Sequence, residues 1–223
     1  MAQKRKIVLD CDPGVDDAFA IQFLLNSSSH IDLVAILTST GNCKAEQGAR
    51  NACRLLHVNK RRDVPVFIGQ PGPIMKPLTE TRKEYFHLMK RRLSSFAFHG
   101  RDGFGDRPDM SPTLDETDFA PLQSDITAAL KLVQLANEHR NELDVIAIGP
   151  LTNLAAAVKL DPGLPGKLRS LVIMGGNMNG IGNMHVVGEF NFYADPEGAK
   201  IVLDEYTPLV SFVSICAIKK RFS

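Results

Sequence analysis

At 223 residues the chain is long enough to bury a real core, as one large domain or two small ones. Its 26 basic and 25 acidic residues nearly cancel, which removes the electrostatic footprint expected of a nucleic-acid or membrane-surface protein. Cys11, Cys43, Cys53 and Cys216 form no CxxC pair or zinc spacing, no run reaches the ~18 apolar residues of a membrane span, and the basic start Met1–Lys6 precedes too short an apolar run for a signal peptide. This usage predicts a soluble, cytosolic (cytoplasmic) protein in a reducing compartment.

In chain order, a first strand over about 6–10 leads through an acidic turn into a helix over about 16–26. That helix is apolar on nearly every side and is expected to be well buried. Ile31 to Leu37 reads as a second strand, Ala45 to Leu56 as a helix with apolar residues at i, i+4 and i+7, and Val64 to Ile68 as a third strand. Each strand is almost wholly apolar, the pattern of a parallel sheet covered on both faces. Regularity lapses from Gly69 to about Pro121, apart from a basic stretch over 83–92 that suits a short helix and a glycine-rich polar loop, His99–Asp106. It resumes with Ser124 as an N-cap and apolar Leu122, Ile126, Leu130 and Val133. Then follow a strand (Leu143–Ile148), a helix (151–160), a strand (Leu171–Met174), a long loop (Asn177–Asn191), a short helix (Pro196–Leu203) and a final apolar run over Leu209–Ile218, read as a strand. With no repeat and no linker, residues 1–223 read as a single α/β domain, an open, mostly parallel sheet with helices on both faces and a Rossmann-like core.

The most informative stretch is Asp10-Cys11-Asp12-Pro13-Gly14-Val15-Asp16-Asp17, which puts four carboxylates into eight residues at a strand-to-helix turn. Like charges at that density require something positive among them: a bound cation, a Lys or Arg, or a helix N-terminus. A plainer reading makes Asp16 and Asp17 first-turn helix acids and Asp10 a cap, effects worth about 0.3–2 kcal/mol each. Four polar segments fall at strand C-terminal ends: this turn, Asn42, Gly149–Asn153 and Met174–Asn191. In an open parallel sheet those ends share one rim, where ligands bind. Carboxylates without ligand-spaced Cys or His favour Mg²⁺ or Ca²⁺ over zinc. A helix–loop–helix calcium motif is excluded, because the position of its last Glu falls in the apolar helix. A strand-end Asp-x-Asp phosphotransferase turn, with Asp10 as nucleophile of a Mg²⁺-dependent phosphatase, is a nearer look-alike. It usually has Thr or Val where Gly14 stands, and it has no use for Asp16-Asp17.

Asp-x-Asp-Pro-Gly-x-Asp-Asp after an N-terminal strand resembles the signature of the inosine/uridine-preferring nucleoside hydrolases. Thr40-Gly41-Asn42, His99-Gly100-x-Asp102-Gly103-x-Gly105, Gly149-Pro150-Leu151-Thr152-Asn153, Met174-Gly175-Gly176, Glu189-Phe190-Asn191 and Ala194-Asp195-Pro196-Glu197 match in the same order, so the resemblance runs from about residue 6 to 205. It implies hydrolysis of the N-glycosidic bond of ribonucleosides, a small-molecule substrate, by a water held on Ca²⁺. By the same resemblance Asp12 bridges the ion and the water as general base, Asp17 chelates the ion, and the Ile148 carbonyl is a further ligand. The resemblance likewise has Asp16, Asn42 and Asn191 bind ribose hydroxyls, Asn183 and Glu189 hold the 5′-hydroxyl end and Met174 pack near the ribose; it puts His99 near the sugar or base, and the other reading of His99 is a plain surface-loop histidine. Asp10 orients the turn, Asn153 closes its loop before the helix, and His185 is a solvated loop residue.

The family pattern continues past the position of Glu205 to a His-Asp pair, the leaving-group acid and a remaining calcium ligand, and to helices that cover one face of the sheet. Residues Thr207–Ser223 contain no His and no acid. The expectation is therefore a C-terminally truncated or alternatively spliced member, or one ending in a misread exon, with weak or absent activity. The competing reading is a diverged Ca²⁺- and ribose-binding protein that does not hydrolyse. Base preference and homo-oligomer formation stay open.

Overall fold

A computed structural model describes residues 3–75, 99–107, 109, 111–184, 186–206 and 210–213. The basic stretch over 83–92, His185 and most of the final apolar run lie outside the described residues. Among the described residues the strands are β1 (Arg5–Cys11), β2 (Ile31–Thr38), β3 (Val66–Ile68), β4 (Leu122–Gln123), β5 (Leu143–Ala147), β6 (Ser170–Met174) and β7 (Val210–Val213). They form one sheet in the order β4-β3-β2-β1-β5-β6-β7, every pair parallel. The order reverses between β1 and its neighbours β2 and β5, so the crevice of a doubly wound sheet opens beside the end of β1, where the acidic turn lies.

Side-chain alternation along the strands divides the core in two. Ile7, Leu9, Cys11, Leu33 and Ile36 pack against α1 (Val15–Asn26) and α2 (Ala45–Val58). Val8, Ala35, Leu37, Val145, Ala147, Leu171 and Ile173 face the other way, into a cluster with α3 (Ala128–Glu138), α4 (Thr152–Leu160) and α6 (Pro196–Glu205). Helices thus lie on both faces, as the apolar strands require, but unequally. On the α3/α4/α6 side Val145, Ala147, Leu171 and Ile173 are fully buried, whereas Ile146, Ile148, Val172 and Met174 on the α1/α2 side keep partial exposure. Among the described residues, α1 and α2 pack over β1–β4 on that side, and Ile146 and Ile148 border the same cluster.

Several element expectations need correction. Helix α1 is not buried all round: Ile21, Leu24 and Leu25 enter the core, but Phe19 and Phe23 stand 75% and 69% exposed on its outer side. Periodicity cannot report burial when the outer face is itself apolar. Residues 122–123 are not part of a helix capped by Ser124. They pair with Val66–Phe67 as the edge strand β4, so the next helix starts later, with Thr127 as N-cap accepting from the Leu130 N–H. The loop after β6 ends sooner than expected, because Glu189 caps a short helix α5 (Phe190–Ala194).

Candidate active site

The turn between β1 and α1 is folded around its own carboxylates. Gly14 is the extended N-cap of α1, and Asp17, three residues on, reaches back so that its Oδ2 accepts the Gly14 N–H at 3.0 Å. Asp17 Oδ1 also receives the Asp12 N–H at 3.4 Å. Asn42, on the loop after β2, links the two acids: its backbone N–H donates to Asp12 Oδ2 at 2.6 Å and its Nδ2 to Asp17 Oδ2 at 3.2 Å. The Asp12 carboxylate sits in a slot that exists only because two neighbours are glycine. A Cβ on Gly41 would lie 2.1 Å from its Oδ2, and one on Gly149 2.8 Å from its Oδ1.

Asp10, Asp12 and Asp17 are all buried, while Asp16 points outward. Burial, then the adjacent Asp17 charge, pushes Asp12 well above the ordinary carboxylate range. Burial, then the Asp16 charge, pushes Asp17 up to about 7. Burial raises Asp10 to about 7 against the lowering effect of its Asn153 hydrogen bond. Among the described residues no Lys or Arg offsets these charges; the helix N-terminus supplies N–H dipoles only. Two buried carboxylates with a raised proton affinity, next to the carbonyl edge of β5, fit a hard, oxygen-seeking cation rather than zinc. Among the described residues no group of three or more His, Cys, Asp or Glu is placed to hold a metal. Asp10 is fully enclosed, with Oδ1 accepting from Asn153 Nδ2 at 2.8 Å, a poor location for a phosphatase nucleophile that substrate must reach.

The other singled-out residues gather on the same rim with different geometry. His99 Nδ1 accepts the Val15 N–H at 3.0 Å, so the neutral ring carries its proton on Nε2, which lies 3.8 Å from Asp16 Oδ1. The loop that delivers it is tied internally, with Asp102 Oδ1 accepting the Phe104 and Asp106 N–H groups and Asp106 Oδ1 those of Arg101 and Asp102. Gly100, Gly103 and Gly105 all take positive φ there. Asn51 Nδ2 joins this loop to the acidic turn by bonding both Pro13 O and Asp102 O. Asn191 Nδ2 donates to Ile148 O at 2.9 Å and to Met174 O at 3.0 Å, drawing the ends of β5 and β6 together. Asn183 is exposed and accepts the Phe190 N–H at 2.8 Å. Glu189 is buried, and its carboxylate accepts three backbone N–H groups, those of Gly176, Asn191 and Phe192. A carboxylate has about four acceptor sites, so one remains for a ligand.

Two buried residues whose position the chemistry of single segments did not reveal are Asn153 and Asp195. Asn153 does more than close its own loop, since it bonds Asp10, Thr38 and Gln70. Asp195 caps α6 through the Gly198 N–H and accepts from Thr152 Oγ1 at 2.6 Å and the Ile74 N–H at 3.1 Å.

Fold and site together define a parallel α/β protein with a cluster of buried acids at the carboxyl edge of its sheet. Residues 7–219 match the family described as inosine-uridine preferring nucleoside hydrolase, and the chain belongs to that family. It is 36% identical over 204 residues to the pyrimidine-specific ribonucleoside hydrolase RihA of Escherichia coli O1:K1 / APEC, covering 92% of this chain and 58% of that protein. Among solved structures it is similar to a plant nucleoside hydrolase, the PpNRh1 enzyme, with a TM-score of 0.78 and 34% identity over 96% of this chain and 60% of the other. A purine-preferring ribonucleoside hydrolase from Gardnerella vaginalis gives a TM-score of 0.72 and 29% identity over 94% and 60%. The chain therefore spans about three fifths of the length of these relatives.

Proposed function

We propose that this chain carries the water-activating and ribose-binding half of a ribonucleoside hydrolase, with Asp12 as the general base. The observation that carries the reading is the Asp12 carboxylate, wedged between Gly41 and Gly149, joined to Asp17 through Asn42, and unmatched by any Lys or Arg among the described residues. Asp12, Asp17 and the Ile148 carbonyl would hold a Ca²⁺ ion. When bound, the ion supplies the positive charge that makes a water more acidic and orients sugar hydroxyls.

The chain's own residues do the rest. Asp12 takes the proton of the water that adds to C1′ as the bond to the base nitrogen breaks; the base leaves with that electron pair and takes its proton from solvent. Asp16 at the rim, with Asn42 and Asn191, binds ribose hydroxyls. Asn183 and the remaining acceptor site of Glu189 receive the 5′-hydroxyl, and Met174 packs under the sugar. His99, its proton fixed on Nε2, faces Asp16 from across the mouth. The acid-rich wall stabilises positive charge developing on the ring. The relatives' names include pyrimidine-specific and purine-preferring enzymes, so the substrate class is a ribonucleoside with the base unspecified. Affinity of such cation sites grows with the number of charged ligands. The described residues supply two such carboxylates, Asp12 and Asp17, so half-saturation is expected at high Ca²⁺ and turnover at low Ca²⁺ is weak.

The test is release of free ribose from inosine and uridine by the purified 223-residue chain over a CaCl₂ series. Turnover that rises with Ca²⁺, is abolished by chelation and falls about 10²–10⁴-fold in Asp12→Asn is expected. Calorimetric binding of ribose with Ca²⁺ but no ribose release at any Ca²⁺ level would replace this reading with the non-catalytic binding protein. Inorganic phosphate released from phosphate esters would overturn it in favour of the phosphatase.

A further inference from the structure

The buried amide of Asn153 has a position that no role in loop closure requires. It stands in the first turn of α4, beside the end of β5, yet every partner of its side chain belongs to another part of the sheet edge. Nδ2 donates to Asp10 Oδ1 on β1 at 2.8 Å and to the Thr38 carbonyl at the end of β2 at 3.0 Å. Oδ1 accepts the Gln70 N–H, just past β3, at 3.1 Å. In sheet order these are the ends of β3, β2, β1 and β5, four adjacent strands gathered on one side chain. The approach is close: a Cβ on Gly69 would fall 2.3 Å from Asn153 Oδ1 and 2.5 Å from Nδ2. Strand alternation puts Asp10, like Val8, on the α4 side of the sheet, where Asn153 lies, while Asp12 follows the end of β1.

Asp10 depends on this amide. It is fully buried and its Oδ2 has no hydrogen-bond partner, so among the described residues Asn153 supplies the hydrogen bond its side chain has. The Asp10 backbone is also part of the site wall, because its carbonyl accepts the Ile148 N–H at 2.8 Å. A shift of Asp10 therefore moves Asp12 on one side and the Ile148 carbonyl on the other. Only an amide satisfies the whole pattern. Asp at 153 would put an acceptor against two acceptors, and an apolar side chain would leave Asp10, Thr38 and Gln70 without their partner.

We propose that Asn153 is a positioning residue for the cation and water site, setting the spacing between the Asp12–Asp17 turn, the Asn42 loop and the Ile148 carbonyl. This rests on the functional reading above only for what the spacing serves; the coupling of the strand ends stands without it. Two variants test it, the isosteric Asn153→Asp and the smaller Asn153→Ser. The first measurement is amide hydrogen exchange followed by NMR without added cation. The expected result is at least a tenfold loss of protection at the Asn42 N–H, which touches Asp12 and not Asn153, together with loss at Gln70, while amides of α3 keep wild-type protection. A change confined to Gln70, an equal loss at every amide, or failure of the serine variant to fold would each overturn the proposal by reducing Asn153 to a local or a global structural part. The second measurement is the rise in melting temperature on adding CaCl₂, with at least a tenfold higher half-saturating concentration expected in both variants. If the parent chain shows no Ca²⁺ response, the cation reading fails while the exchange result still decides the coupling. If the parent responds and the variants match it, the positioning role fails.

Discussion

Asp12 is held in a way that costs stability. Its oxygens lie against two glycines, it receives a backbone N–H from Asn42, and among the described residues no cationic side chain balances it. Burying a charge without a counter-charge is costly, and the site carries that cost in its raised proton affinities. The isosteric change Asp12→Asn keeps the shape and removes one of the mutually repelling charges. In cation-free buffer at pH 8 it is expected to raise the melting temperature, while abolishing both ribose release and the Ca²⁺ response. Scanning calorimetry with and without CaCl₂ checks this, and a lower melting temperature in cation-free buffer would show that the charge is balanced by some other group. Glu189 makes the contrasting case. Its three backbone N–H bonds are a stabilising cap, so the same side chain serves α5 and the rim of the site.

At the scale of elements, the long strands were legible because a parallel strand buried on both faces is a nearly unbroken apolar run, as in β1, β2 and β5. The two-residue β4 was not, since its membership in the sheet comes from pairing with Val66 and Phe67 and not from any pattern of its own. The acidic turn could be read locally, because Asp12, Gly14 and Asp17 lie within a few residues of one another. Asn153 and Asp195 could not be assigned partners, because their bonds span sequence separations of up to 143 and 121 residues that only the strand order brings together. Helix α1 shows the converse error, where composition implied burial that the packing does not provide. This gives a sharp contrast on one helix. Phe19→Ser and Phe23→Ser on its outer face should each change unfolding free energy by no more than about 0.5 kcal/mol. Ile21→Ala, on its buried face, should cost about 2–5 kcal/mol. Urea denaturation of the three variants measures both, and a large loss from either Phe change would mean that the outer face is covered in solution.

Across the whole molecule the two edges of the sheet respond to pH in opposite senses. At the amino edge Asp144 is buried, which by itself would raise its pKa. Hydrogen bonds from Arg169, Ser170 and Arg5, with the Arg169 charge, outweigh that and hold it below the ordinary range. A lowered folded-state pKa means stability that is present above the unfolded value of about 4 and is lost as pH falls through the folded value. At the carboxyl edge Asp10 and Asp17 stand at about 7, so the folded chain binds more protons there than the unfolded one. Their contribution is complete below about pH 4 and is lost as pH rises through about 7. The cation-free chain should therefore be most stable in mildly acid buffer and lose stability steadily toward pH 8. Millimolar CaCl₂ should oppose that loss at pH 8, where the site acids are ionised, and do little at pH 5, where protons compete for the same oxygens. Thermal unfolding over this range, with and without Ca²⁺, reads both trends. Stability that is flat or rising from pH 5 to 8 without cation would mean that the three buried acids are compensated within the protein, and the case for a cation among them would fall with it.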